Sequence, residues 1–182
     1  ISVASAVPAE RRGEGARQEK ASPAPRLPSA GRGRTGSGMS EACCDIWQKF
    51  GHPGGEVFAT EHWRAVVRPK QATLGALVLI SKRHALGLGD LAPEEAADLP
   101  RAAAELERRL TAAFAHDKIN YLALMMLDPH LHFHVLPRYA EPRTVGGFEF
   151  VDAAWGGPPR LDAACPEAPV VATVLARLRD PS

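Results

Sequence analysis

The sequence predicts an α+β domain: an antiparallel sheet of about five strands, a long helix packed on it, and a second helix at the C-terminus. Three observations carry this. Histidines alternate with apolar residues through His130-Leu131-His132-Phe133-His134-Val135-Leu136, and a period of two marks a strand with two unlike faces. From Pro93 to Phe114 apolar side chains recur at three- and four-residue spacing, the period of an amphipathic helix. Around them lie short β-branched and leucine-rich runs punctuated by Gly, Pro and Asp, which read as a meander of antiparallel strands.

The first 39 residues stand apart. They are rich in Ala, Gly, Pro, Ser and Arg, with no hydrophobic period, and read as a disordered extension. Residues 40–182 then hold one domain of ordinary size, with its core at about 50–155. Met39-Ser40 is a plausible alternative start, since the chain opens on Ile1. The formal net charge of +1 hides an asymmetry: residues 1–40 carry +4 and the remainder −3. A mildly acidic body argues against a nucleic-acid surface. No apolar run is long enough for a signal peptide or a membrane span. Cys43 and Cys44 are adjacent and Cys165 is alone. That usage fits a reduced, cytoplasmic setting without a disulfide framework.

Along the domain, Ser40 is placed to cap a short helix reaching Phe50. After the turn Gly51-His52-Pro53-Gly54-Gly55, strands are expected at 56–60 and 62–68, and Pro69 breaks the pattern. A further strand covers 73–80, and His84 follows in a Gly-bearing loop. Pro93 suits the first turn of the long helix, whose inward side is Leu99, Ala103, Leu106, Leu110 and Phe114. Pro100 is expected to kink it, or to end a short first helix near Ala97, because an interior proline costs about 3 kcal/mol. Glu105, Glu107, Arg108 and Arg109 read as its solvated face. Strands at 120–127 and 130–136 would pair through a tight Asp128-Pro129 turn. A polar loop, a strand at 148–151, a loop bearing Trp155 and a helix over 169–179 complete the chain. Val171, Val174, Leu175 and Leu178 face inward on that last helix.

The three histidines share one face of their strand, and Leu131, Phe133 and Val135 share the other, which reads as core. An ordinary half-exposed strand gains little from three imidazoles in a row. A metal site is the second reading, because neutral imidazole is a common zinc ligand. Geometry weighs against it: at about 3.3 Å per residue, His130 and His134 lie about 13 Å apart along the strand. A His-x-His pair would need further ligands from elsewhere, and the sequence has no H-E-x-x-H or Cys-x-x-Cys. The third reading is nucleophilic catalysis, with a central imidazole attacking and its neighbours handling protons and charge.

His130 to Leu136 resembles the histidine triad (HIT) family pattern, His-φ-His-φ-His-φ-φ with φ apolar, at every position. The preceding run 118–127, the following Pro137-Arg138, the upstream Ser81-Lys82-Arg83-His84 and the Asp90-to-Glu95 helix entry also match the family's usual order. The likeness spans about residues 50–155. It implies a HIT-like fold and a nucleotide hydrolase or nucleotidyl transferase, of the diadenosine polyphosphate hydrolase type. The α-phosphate of a dinucleoside polyphosphate or nucleoside phosphoramidate would be attacked by His132 through a covalent nucleotidyl-histidine. His130 and His134 would assist, and His84, Asn120 and Arg138 would lie on the substrate side. The family likeness implies no required cofactor, although a divalent cation would accompany a polyphosphate substrate, and it suggests a homodimer. Two departures stand out. Met126 occupies the place of a Gln four residues before the first histidine, with the loop there shortened to Asp128-Pro129. Arg68 stands where some members put a ribose-binding Asn. A nucleotide sensor with little turnover and a His-x-His metal protein are the competing readings.

Overall fold

The computed structural model describes residues 45–51, 54–162 and 166–181. The predicted extension over 1–39, the Ser40 cap and the three cysteines lie outside the described residues.

Five strands form one antiparallel sheet: β1 Glu56–Ala59, β2 Trp63–Val67, β3 Leu77–Ser81, β4 Lys118–Leu122 and β5 His132–Arg138. Their spatial order is β1-β2-β3-β5-β4. The histidine strand therefore runs in the interior of the sheet, with β3 on one side and β4 on the other. In register, His132 lies opposite Ile80 and His134 opposite Val78, while Leu122 pairs with His134 and Lys118 with Arg138. The expected fold class, an α+β domain with a five-stranded antiparallel sheet and helices, is what the chain adopts. Helix α1 spans Asp45–Lys49, α2 Pro93–Phe114 and α3 Ala168–Arg179. No helix among the described residues is long and apolar enough to cross a membrane.

The two faces of the sheet are covered differently. On one face Trp63, Ala65, Val67, Leu77, Leu79, Leu131 and Val135 pack with Ala102, Leu106, Leu110 and Phe114 of α2 and with Val170, Val174 and Leu178 of α3. This is the main core, and removing such apolar surface from water is its chief stabilisation. Along α2 the inward side takes Ala102 in place of Ala103, which is half-buried, and Leu99 packs against the same core. The other face carries the histidines and is covered by α1, whose Ile46, together with Phe50 just after it, packs on Val66, Val78 and Ile80.

Four local expectations change. Helix α2 is one helix of 22 residues with Pro100 inside it, not two. Ala96, whose carbonyl loses its partner to the proline ring, is exposed, as is Pro100, so water can take the vacated hydrogen bond. Strand β3 starts at Leu77, not at 73. The amide of buried Gln71 accepts from the N–H of Gly75 and Ala76 and donates to the carbonyls of Arg68 and Ala76, and this locks 71–76 as a turn. Gly75 there has φ +76°, and a Cβ on it would meet Leu110 Cδ2 at 2.9 Å; both facts require glycine. The connection before the triad is not the tight Asp128-Pro129 turn: β4 ends at Leu122 and β5 begins at His132, leaving nine residues between them. The stretch after Arg138 is not all loop: β6 Arg143–Val145 and β7 Phe148–Phe150 form a hairpin.

The N-terminal end of α2 is fastened to the sheet by two buried carboxylates. Asp98 accepts from the Thr60 hydroxyl at 2.6 Å and the His62 N–H at 2.9 Å. Burial pushes its carboxyl up, but these two donors outweigh burial and hold it below the usual range. Glu95 takes Arg83 in a two-pronged pair at 2.7 Å and the Ala92 N–H at 2.8 Å; the Arg83 hydrogen bond holds its carboxyl low against burial. That pair fixes the loop 81–84, on which the first histidine of the triad depends.

Candidate active site

Alternation along β5 puts His132, His134, Leu136 and Arg138 on one face. His130 comes just before the strand, but its backbone is held to the same line: the Leu131 N–H donates to the Ala85 carbonyl at 2.7 Å, and the Ser81 N–H to the Leu131 carbonyl at 3.2 Å.

Each ring has its own environment. His130 Nε2 lies 2.7 Å from the Ser81 carbonyl and 3.1 Å from its hydroxyl. A carbonyl only accepts, so Nε2 carries the proton and Nδ1 is the acceptor. His84 Nδ1 approaches that acceptor at 3.4 Å. Burial pushes the His130 pKa down, against the Ser81 hydrogen bond, and the neighbouring His84 and His132 lower it further. His132 Nδ1 lies 2.8 Å from the His130 carbonyl. By the same reasoning its proton sits on Nδ1, and Nε2 keeps a free lone pair. His134 stands edge-on to His132 with ring centres 5.0 Å apart. Burial, then the charge of Arg68, pushes its pKa down to about 4. Its Nδ1 is buried without a hydrogen-bond partner.

This row is closed from above. The exposures of His130, His132 and His134 are 1%, 1% and 8%, so a substrate reaches them only if the cover moves. Trp47 meets His130 edge-on at 5.9 Å, and Phe50 lies 6.0 Å from His132 and 5.8 Å from His134. The Arg64 guanidinium stacks over Trp47 at 4.6 Å. Lys49 reaches Asp128, in the connection before the triad, at 2.6 Å.

The six residues singled out from sequence thus divide into two groups. His84, His130, His132 and His134 are brought together. Asn120, opposite Leu136 in register, and Arg138, two residues past it, lie on the same face but apart from the rings, and Leu136 packs with Ala72, Ala76 and Leu122 as an apolar divider. There Arg138 grips Asp152 through Nε at 2.6 Å and Nη2 at 3.0 Å, and also reaches Asn120 Oδ1, Gly157 O and Ala154 O. All three of its nitrogens are engaged within the protein.

Sequence reasoning did not assign the roles of four residues. Ser81 fixes His130, Trp47 and Phe50 cover the rings, and Arg68 places charge on His134. The first could have been found from strand pairing; the cover follows from packing and had no motif. Among the described residues no three His, Cys, Asp or Glu side chains group as a metal would need. The rings are directed instead at backbone carbonyls and at each other.

Residues 52–141 match the HIT domain family model. Solved structures agree in fold. A histidine triad protein from Bradyrhizobium japonicum is 25% identical with a TM-score of 0.51, over 69% of this chain and 88% of that one. One from Sinorhizobium meliloti is 20% identical with a TM-score of 0.56, over 70% and 88%. One from Marinobacter aquaeolei is 20% identical with a TM-score of 0.55, over 68% and 85%. Among curated proteins, none matches. Family match, fold and alternating histidines agree on one conclusion: over residues 52–141 this chain matches the HIT domain family model and has the fold of the solved histidine triad proteins.

Proposed function

We propose that the protein is a nucleotide hydrolase or nucleotidyl transferase that works through a covalent intermediate on His132. The match to the HIT family model points to nucleotide chemistry, and one observation supports this role for this ring. The His130 carbonyl, 2.8 Å from His132 Nδ1, leaves the Nε2 lone pair free. In the first step that lone pair attacks the α-phosphorus. The bond from phosphorus to the leaving group breaks, and the leaving group departs with the electron pair and takes up a proton. The ring becomes cationic as the P–N bond forms, and the carbonyl dipole on Nδ1–H stabilises that charge. In the second step water, or another acceptor, attacks phosphorus and gives up a proton to solvent, while the P–N bond breaks and its electron pair returns to Nε2.

The flanking rings suit supporting roles. His134, held neutral by burial and Arg68, offers one N–H to a non-bridging oxygen without adding charge. His130, directed at Ser81, fixes the carbonyl that orients His132. Its contact with His84 makes His84 a positioning residue in this scheme. Entry of substrate requires α1 to move off the rings, because Phe50 covers both His132 and His134.

The test is turnover. Diadenosine polyphosphates and adenosine phosphoramidate are incubated with the wild type and with His132→Ala, and products are separated by chromatography. The expected result is release of AMP by the wild type and a loss of at least about a thousandfold in the variant. Nucleotide binding without turnover by the wild type would favour the sensor reading.

A further inference from the structure

Most arginines among the described residues pair with a carboxylate, and Arg177 and Arg179, which do not, are exposed. Arg64 pairs with Glu56, Arg83 with Glu95, Arg109 with Glu105, and Arg138 with Asp152. Arg68 differs. Among the described residues its guanidinium has no carboxylate partner, and its Nη1 is buried without a hydrogen bond. Burial pulls its pKa down, as it must for a cation withdrawn from water with nothing to balance it. An uncompensated, partly buried charge is costly, so its persistence at a ring cluster suggests a partner that arrives from outside.

The fold places Arg68 where such a partner would also meet the triad. Arg68 follows β2, and its N–H extends the ladder to the Ala76 carbonyl at 3.0 Å. Two residues before it, Val66 packs under α1 with Val78 and Ile80, so by alternation Arg68 also projects to the histidine side. Val66 pairs with Val78, and Val78 with His134. Arg68 is therefore one rung along and two strands across from His134, or about 10 Å across the sheet. The buried residue beside it is Ala76, too small to obstruct a long side chain lying toward β5. The position is rigid as well: buried Gln71 donates to the Arg68 carbonyl at 2.6 Å and ties the turn together. His134 Nδ1 is likewise buried without a hydrogen bond, and the charge of Arg68 acts on this ring.

We infer that Arg68 forms a second anion subsite, beside the triad, that holds a phosphoryl group of the substrate other than the one His132 attacks. The inference rests on the nucleotide reading above and narrows it: the preferred substrate carries at least two phosphoryl groups within reach of the triad face. The second group has two sources, the next phosphate of a polyphosphate chain or a phosphate esterified on the ribose. A guanidinium suits either, because its planar fork matches phosphate oxygens in pairs.

Equilibrium titration of the full chain separates these outcomes. The probes are AMP, the α,β-methylene analogue of ADP, and adenosine 2′,5′- and 3′,5′-bisphosphate, against wild type, Arg68→Gln and Arg68→Lys. At least one doubly phosphorylated probe should bind wild type about tenfold or more tightly than AMP. In Arg68→Gln that preference should fall to within about twofold, with AMP affinity nearly unchanged; Arg68→Lys should keep part of it. A preference for the methylene analogue assigns the chain phosphate, and a preference for a bisphosphate assigns the ribose phosphate. Equal binding of all probes to wild type overturns the subsite, as does an Arg68→Gln variant that loses AMP as much as the others. If no probe binds wild type, AMP included, the nucleotide reading itself fails and takes the subsite with it. Thermal melting guards against misfolding: Arg68→Gln should melt no lower than wild type, since it removes an unpaired charge.

Discussion

Arg138 and Arg68 sit on the same side of one sheet, and their surroundings are opposite. Arg138 is buried and its three nitrogens are all engaged, with Asp152, Asn120 and two carbonyls around it. Arg68 has no hydrogen bond from its guanidinium among the described residues, and a buried Nη1. The same contrast runs along β5. At one end a charge is answered by protein atoms. At the other, burial lowers the pKa of His130 and His134, and one ring nitrogen is left open. A satisfied polar group holds structure in place; an unsatisfied one at a concave, coverable site is available for chemistry. Residue type and alternation make the two ends look alike, and only the partners tell them apart.

The largest effect expected from breaking this contrast is at the reactive end. His132→Ala should lower turnover by at least about a thousandfold while leaving the thermal midpoint near that of wild type, as read by product release beside a melting curve. The satisfied end should respond in the opposite way. Asp152→Ala strands the Arg138 guanidinium, whose side chain is 5% exposed, and should cost about 3–5 kcal/mol in denaturant unfolding. The kcat of the fraction that remains folded should be unchanged.

The third effect concerns the neutral rings. The His134 pKa in the folded chain is about 4, below the unfolded value of about 6.5. Between these values the unfolded chain binds the extra proton. Stability from this ring is therefore complete above pH 6.5 and is lost as pH falls from 6.5 toward 4, by an amount on the order of 3 kcal/mol. His130, also shifted down, adds to the same slope. Denaturant midpoints at pH 7 and pH 5 should differ, and His134→Asn should flatten the difference. A slope of the opposite sign would mean that the rings are held as cations.

The smallest effect is at the cover. Lys49 and Asp128 are partly exposed, and such a pair contributes about 0–1 kcal/mol. Lys49→Ala should leave stability within that range. It should lower KM or raise kcat by no more than a few-fold by loosening α1, most visibly at low salt.

What the sequence made legible follows from local periodicity. The alternation at 130–136 specified a strand and both its faces, and the spacing from Leu106 to Phe114 specified the helix packed on it. The triad could be named because three identical side chains at strict alternation have few structural uses. Other features depend on partners distant in sequence. Asp152 answers Arg138 from fourteen residues away, and Phe50 meets His134 from across the chain. The bareness of Arg68 is the absence of a partner, which no local pattern records. The helix continues through Pro100 where Ala96 and Pro100 are both exposed, so water can take the hydrogen bond that the proline ring vacates. The turn at 128–129 misled because Asp-Pro is a turn signal, although β4 had already ended at Leu122.

The central claim is that His132 becomes covalently nucleotidylated, and intact mass after a denaturing quench tests it most directly. The full chain is mixed briefly with a diadenosine polyphosphate or adenosine phosphoramidate, quenched, and weighed beside His132→Ala and His134→Ala. The account predicts an adduct of one adenylyl group on the wild type, none on His132→Ala, and one on His134→Ala that forms more slowly. Turnover without any adduct at the earliest times, or an adduct that survives in His132→Ala, would contradict it.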